Sequence, residues 1–333
     1  MAETASDSCR SSDLETSASS DTESDASLAW RTRTVGSIRL TNGFWIYSSE
    51  QLASTPSLQD GLDVELEADL RFIGCELIQQ ASGLLRLSHA VVTTAQMLFH
   101  RFYVRQSFFV HSFKIAAMAC VMLASKIEYA PRHLFDVIGA FRLVDQLRKD
   151  STARPPQQDL GYVTLKHLVV QTEWRVLRDL GYCVRVQHSH KLITPIVELV
   201  LQRADRKIIQ LAWNYMNDCH RSDIVLRYPP ETIVCACIQI ASRLRRTPMP
   251  DAPHWYTAFG VSDADMDAAV RRILGLYVRP KVNVAKVEWL VHLLRSQIMK
   301  SKGVDFAHSP LNRRAGSNQL GQPFSQFELF ESL

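Results

Sequence analysis

The sequence predicts an all-α chain in which one five-helix unit occurs twice behind a disordered acidic tail. Three observations lead there. From residue 65 onward, apolar residues recur at spacings of three and four, the period of a helix that buries one face. No stretch reads convincingly as a strand. A set of small residues repeats at a constant offset of 117 positions. The length of 333 residues, 46% of them hydrophobic, suffices for about two domains of ~100–200 residues, each with its own core.

Residues 1–28 are dominated by Ser, Asp, Glu, Thr and Ala and have almost nothing to bury, so a disordered tail is expected over 1–40. Ser19, Ser20 and Thr22 lie among acids that suit an acid-directed kinase; a purely solubilising tail is the alternative. The first folded unit, with a leading segment, is placed at 41–186. Leu66, Leu70, Ile73, Leu77, Ile78, Leu84 and Leu85 share one face of its first helix. A second helix fits 89–105. A third, 112–126, is apolar on almost every side and should be central. Pro131 suits the first position of a fourth, running to about Leu147. After a loop with Pro155, Pro156 and Gly161, a fifth spans about 164–180 and stops at Gly181, a natural C-terminal cap.

The second unit is placed at 187–300, with helical patterns at 190–203, 205–219, 230–245, 252–259, 262–277 and 284–299. Ser262 caps the fifth of these, with Asp263 and Asp265 near its positive end. Residues 301–333 read as a flexible tail. Within the repeat, Ala119-Cys120 and Ala124-Ser125-Lys126 recur as Ala236-Cys237 and Ala241-Ser242-Arg243, while Ala95 matches Ala212 and Pro131 matches Pro248. Short side chains are what a central helix needs where neighbouring axes approach to ~8–10 Å.

Composition excludes several classes. The longest apolar run, Ile115–Ala124, is about half of the ~20 residues that span a bilayer, so no membrane association is expected. The acidic start is neither a secretory signal nor a transit peptide, which points to the cytosol or nucleus. Cys9, Cys75, Cys120, Cys183, Cys219, Cys235 and Cys237 include no CxxC pair, and most read as reduced core thiols rather than zinc ligands. Residues 1–30 hold seven acids and one Arg, so a formal net charge of +4 conceals a basic remainder of +10. Phosphate-cradling, hydrolase-elbow and kinase motifs are absent. His188-x-His190 lacks a helical i,i+4 partner and reads as loop rather than ligand. Nothing argues for catalysis. Glu173 lies inside the apolar stripe of the fifth helix, and a carboxylate buried there needs a cation or donors. Lys126, at the end of the most apolar helix, is one candidate; in the alternative, both point to solvent.

At these residues a family resemblance emerges. Ala124-Ser125-Lys126-Ile127-Glu128 with Ala130-Pro131-Arg132, and Glu173-Trp174-Arg175-Val176-Leu177 leading into Leu180-Gly181-Tyr182, resemble the signatures of the cyclin box. Gly74-Cys75-Glu76-Leu77, Trp213-Asn214-Tyr215-Met216 and Pro253-His254-Trp255 extend the resemblance, over about 45–280, toward the L-type cyclins. It implies two tandem five-helix cyclin boxes and a non-catalytic, cofactor-free regulator that activates a cyclin-dependent Ser/Thr kinase as a heterodimer. It further implies a nuclear role in RNA polymerase II transcription and pre-mRNA splicing. In the family, the residues matching Lys126 and Glu173 pair with each other and contact the kinase backbone. The implied kinase-binding set is Leu123, Lys126, Ile127, Glu128, Glu173, Leu177 and Tyr182.

Three features depart from the family pattern. Tyr129 stands where a second Glu is usual. The substrate-docking patch of cell-cycle cyclins falls on Leu70-Arg71-Phe72-Ile73-Gly74 and Leu77, with a Gly and without the usual Trp. Residues 301–333 hold no Arg/Ser repeats. The runner-up reading is a nucleic-acid-binding factor of the same fold, similar to transcription factor IIB. The lack of a zinc ribbon and of a dense Lys/Arg face argues against direct nucleic-acid binding.

Overall fold

The computed structural model describes residues 33–35, 38–41, 45–148, 160–250, 254–280 and 282–301. Nearly all of the expected acidic tail, the loop around Pro155 and Pro156, and the expected C-terminal tail lie outside these residues. Among these residues the chain is all-α apart from one short antiparallel ladder, β1 (Arg33–Val35) with β2 (Ile38–Thr41), where no strand was expected. Two short helices, α1 (Ser49–Ala53) and α2 (Pro56–Gln59), precede the first unit. Each is capped by a hydroxyl, Ser48 and Thr55.

The first unit comprises α3 (Val64–Leu84), α4 (His89–Arg105), α5 (Phe113–Ile127), α6 (Leu134–Arg148) and α7 (Leu160–Asp179). Asp63 caps α3 by accepting from the Glu65 N–H, with Glu65 and Glu67 beside the positive helix end. Ala116, Ala117, Ala119, Cys120 and Ala124 of α5 are fully buried, so α3, α4 and α7 pack closely around it. Between them sits an aromatic cluster, in which Tyr103 stacks on Phe108 at 3.6 Å and meets Phe99 edge-on at 5.0 Å. α6 starts three residues later than Pro131 suggested. Ala130 and Pro131 are used to turn the corner after α5, and the carbonyl of His133 accepts the first N–H bonds of α6.

The second unit comprises α8 (His190–Leu201), α9 (Arg206–Cys219), α11 (Pro230–Arg245), a 3-10 turn (Trp255–Phe259) and α12 (Asp263–Val278), with the four-residue α10 (Ile224–Arg227) before α11. Ser262 caps α12 through the Asp265 N–H as expected. The repeat extends to atomic detail. α5 ends with Tyr129 left-handed at φ 55° and Ala130 N–H donating to Ser125 O. α11 ends with Arg246 at φ 52° and Thr247 N–H donating to Ser242 O. Ser125 Oγ donates to Met122 O, and Ser242 Oγ to Gln239 O, again 117 residues apart. The same Schellman-type stop has been preserved in both copies.

The helices that flank the two units cross between them. Leu52 of α1 is buried in the second core, and Tyr47 N–H donates to Leu226 O at 2.8 Å. The last helix, α13 (Val284–Ser301), was expected with the second unit but packs on the first. Val287 is buried there, Leu290, Val291 and Leu294 pack beside it, and Glu288 bridges to Lys114 of α5 at 3.0 Å. Met97 and Val104 of α4 pack on the second core, so one helix serves both units.

Candidate functional site

α5 packs along α7, and this contact brings Lys126 to Glu173. The four buried residues of α7 are Leu165, Val169, Glu173 and Val176, three apolar side chains and one carboxylate in a single stripe. Lys126 leaves α5 at its last turn and donates from Nζ to Glu173 Oε1 at 2.7 Å. The Glu173 side chain is only 9% exposed, whereas that of Lys126 is 52% exposed. Of the two orientations left open by the sequence, the paired one is therefore realised. An ammonium has three donors and no acceptor. One donor holds Glu173, which leaves an exposed, oriented cation able to donate to a partner's carbonyl oxygen.

The residues flanking this pair in the chain include several apolar and aromatic ones. Ile127 and Leu177 are partly buried against the first core and keep a free side. Tyr182 is 66% exposed and left-handed at φ 59°, directly after Gly181 at φ 58°. The Tyr182 N–H donates to Leu177 O, closing α7. A left-handed tyrosine carries backbone strain that glycine avoids, and such strain concentrates at functional surfaces. Two exposed aromatics were not among the expected residues: Trp174, 69% exposed beside Glu173, and Tyr129, 95% exposed one turn beyond Lys126. The available signal was Trp174 falling on the polar side of the α7 pattern.

Two of the expected residues face inward. Leu123 is buried in the first core, where it supports α5. Glu128 accepts from Thr94 Oγ1 at 2.7 Å and lies 3.2 Å from His188 Nε2, tying α5 to α4 and to the segment between the units. The structure thus pairs Lys126 with Glu173, leaves Ile127, Leu177 and Tyr182 partly or largely exposed, and turns Leu123 and Glu128 inward.

The segment matching the docking patch of cell-cycle cyclins is filled. Leu70, Ile73 and Leu77 lie in the core. Arg71 is paired with Glu67 at 2.6 Å and donates to the carbonyls of His100 and Tyr103. A Cβ on Gly74 would stand 2.2 Å from Phe99 Cζ, so this glycine is required by close packing.

The joint between the units is rich in histidine. His190 is buried rather than in an open loop. Its Nε2 lies 3.1 Å from His89 Nε2 and 2.9 Å from Asn217 Oδ1, and its ring stacks 5.3 Å from that of His220. His100 Nε2 contacts His220 O at 3.0 Å. Burial pushes His100 and His190 down to about 4, lowers His89 and puts His220 well below the usual histidine range. Among the described residues, no group of three His, Cys, Asp or Glu is placed to hold a metal. The Cys75, Cys120, Cys235 and Cys237 thiols are buried, and burial raises all four, which keeps them protonated and unreactive. Among the described residues, no helix is long and apolar enough to cross a membrane.

Comparison with known proteins places the chain in a family. The family described as Cyclin, N-terminal domain, matches residues 44–185. Cyclin-L1 of Rattus norvegicus is 41% identical over 302 residues, covering 89% of this chain and 57% of that protein. Cyclin-L2 of Homo sapiens is 43% identical over 253 residues, covering 76% of this chain and 49% of that protein. The chain thus spans about half the length of the curated relatives it matches. Among solved structures, a chain of the yeast RNA Pol II CTD kinase CTDK-1 complex superposes with a TM-score of 0.57 at 16% identity, over 86% of this chain and 96% of that one. A chain of the Chaetomium thermophilum CAK complex bound to ATP-gamma-S gives 0.55 at 15% identity, over 90% and 100%. These two share the fold. With a duplicated helical unit, both signatures in place and these relatives, the chain belongs to the cyclin family, where it resembles the L-type cyclins.

Proposed function

We propose that this chain is the non-catalytic regulatory subunit of a cyclin-dependent Ser/Thr kinase, acting in the nucleus in RNA polymerase II transcription and pre-mRNA splicing. The observation that carries the reading is the Lys126–Glu173 pair, a half-exposed cation held at 2.7 Å by a buried carboxylate, with Ile127 next to Lys126 in the chain and Leu177 one turn beyond Glu173 on α7. Such a surface has the composition of an interface hot spot, with a desolvating apolar rim around one oriented charge. L-type relatives and a fold shared with chains of kinase complexes support the class of partner.

By this reading the chain does no chemistry. Lys126 donates to main-chain carbonyls next to the kinase's mobile regulatory helix, and the apolar rim packs on that helix. The kinase's own Lys–Glu ion pair and metal ligands are thereby brought into line. Moving a kinase from mostly inactive to mostly active takes ~5.5 kcal/mol of differential binding. A standard interface of apolar anchors supplies that amount.

The test is affinity purification of the full chain. A Ser/Thr kinase should co-purify, and the purified pair, unlike either chain alone, should phosphorylate a peptide of the polymerase C-terminal repeat. Lys126→Glu and Glu173→Lys should each abolish co-purification while circular dichroism shows unchanged helical content. Undiminished kinase capture by both variants refutes the proposal.

A further inference from the structure

The second unit departs from the first at the position equivalent to Lys126. There the repeat places Arg243, which forms no ion pair among the described residues; α12 buries Met266, Ala269, Val270 and Ile273, all apolar, where α7 buries Glu173. Arg245 and Arg246 follow, both exposed. α9 and α11 pack along each other and are joined by the short stretch 220–229, so they run in opposite directions. The first unit fixes the same relation through Thr94 and Glu128, whose equivalents are Leu211 and Arg245. The start of α9, with exposed Arg206 and Lys207, therefore lies at the same end as Arg243, Arg245 and Arg246. Arg203 is also there, 3.8 Å from Asp205. None of Arg206, Lys207, Arg243, Arg245 and Arg246 forms an ion pair among the described residues. Cations in the last turn of a helix complement its dipole. That accounts for a charge or two on α11, but not for cations gathered from two helix ends.

The chain carries a matching anion. Residues 1–30 hold seven acids and one Arg. Their point of attachment is on the same unit, because β1 lies against the 3-10 turn Trp255–Phe259. That turn is pinned to the C-terminal half of α11 by Trp255 Nε1 donating to Gln239 Oε1 at 3.1 Å. Asp21, Glu23 and Asp25 precede Arg33 by eight to twelve residues, a reach of up to ~28–40 Å. α11 itself, with 16 residues, is only ~24 Å long. Tethering sets an effective concentration in the ~mM range, so weak charge–charge contacts suffice.

We propose that the acidic segment 1–30 docks in cis on the cationic corner formed by Arg206, Lys207, Arg243, Arg245 and Arg246 of the second unit. Phosphorylation of Ser19, Ser20 or Thr22 tightens this docking, each phosphate adding about −1.5 to −2 charge to the segment. The corner is separate from the Lys126 surface and does not depend on the kinase reading.

The test is nuclear magnetic resonance of the 15N-labelled full chain, read at the tail amides. At about 50 mM salt the amides of 13–25 should be shifted and broadened, and about 0.5 M salt should release them, because screening shortens to a few ångströms. The variant Arg243→Glu, Arg245→Glu, Arg246→Glu should show the released spectrum already at low salt. Treatment with an acid-directed kinase should raise the salt needed for release about two-fold. All three positions are exposed, so the variant should keep its helical content and its capture of the kinase, which separates this test from the previous one. Tail amides that are identical in the variant and the parent chain at low salt overturn the proposal. So does binding of a 20-base-pair duplex DNA that the variant abolishes while the tail amides stay unmoved, since the corner would then be a nucleic-acid surface.

Discussion

Exchanging the charges of Lys126 and Glu173 separates the two roles assigned to that pair. Lys126→Met leaves the Glu173 carboxylate, only 9% exposed, without its 2.7 Å donor. Stranding a buried acceptor costs about 1–3 kcal/mol, or a fall in Tm of about 2–4 °C per kcal/mol for a chain of this size. Glu173→Gln keeps an acceptor beneath a lysine that is half in water, so its cost should stay near that of an exposed ion pair, at most about 1 kcal/mol. The double exchange Lys126→Glu/Glu173→Lys re-forms the pair with reversed polarity and should recover part of the lost stability. It should not recover kinase capture, because position 126 then offers a carboxylate where main-chain carbonyls need a donor. Thermal melts and quantitative co-purification of the four proteins give the answer. If the exchange restores kinase capture to the level of the parent chain, the pair merely supports the fold and the donor argument fails.

Three further outcomes follow from the packing. Gly74→Ala places a methyl 2.2 Å from Phe99 Cζ and should destabilise by about 1–3 kcal/mol. Gly83→Ala, which meets nothing within 4 Å, should be neutral or slightly stabilising; equal effects in chemical denaturation would contradict the close-approach argument. The buried histidines make the chain acid-sensitive, because His100 and His190 are neutral in the fold down to about pH 4, whereas unfolded histidine titrates near 6.5. Stability should be complete above about pH 6.5 and fall as pH drops toward 4, by about 1.4 kcal/mol per pH unit for each such histidine. A Tm that stays flat from pH 7 to 5 would exclude this. Glu288→Lys puts a second cation against Lys114, whose ammonium is held above its usual range by Glu288 and Asp145 despite desolvation by burial. α13 should detach, seen as hydrogen exchange in 284–294 at least about ten-fold faster while the second unit is unchanged.

Helix existence was legible because a buried stripe must follow the helical period. α4, from His89 to Arg105, and α11, from Pro230 to Arg245, begin and end where the pattern placed them. The start of α6 was not, since a proline with a favourable φ marks where a helix is allowed rather than where it starts. α1, α2 and α10 are too short to show a period; α1 and α2 are held by hydroxyl caps, and all three by burial, of Leu52, Ser57 and Leu226. At the site, Lys126 and Glu173 were visible as charges out of place in apolar stripes. The inward roles of Leu123 and Glu128 were not visible, because both lie on the signature and only their three-dimensional surroundings separate support from contact.

By itself, the sequence determined an all-α chain, its duplication at 117 residues, the family, and small side chains along both central helices. Each is local or periodic, written in spacings of three and four or in repeated strings. Tertiary structure alone decided that α13 closes the first unit while α1 closes the second, that five histidines gather at the joint, and that Arg243 forms no ion pair among the described residues where Lys126 holds Glu173. Contacts such as His89 with His190, Lys114 with Glu288 and Tyr47 with Leu226 join residues about 100 to 180 positions apart. No period encodes such distances; they follow from which apolar faces remain uncovered once each unit has folded.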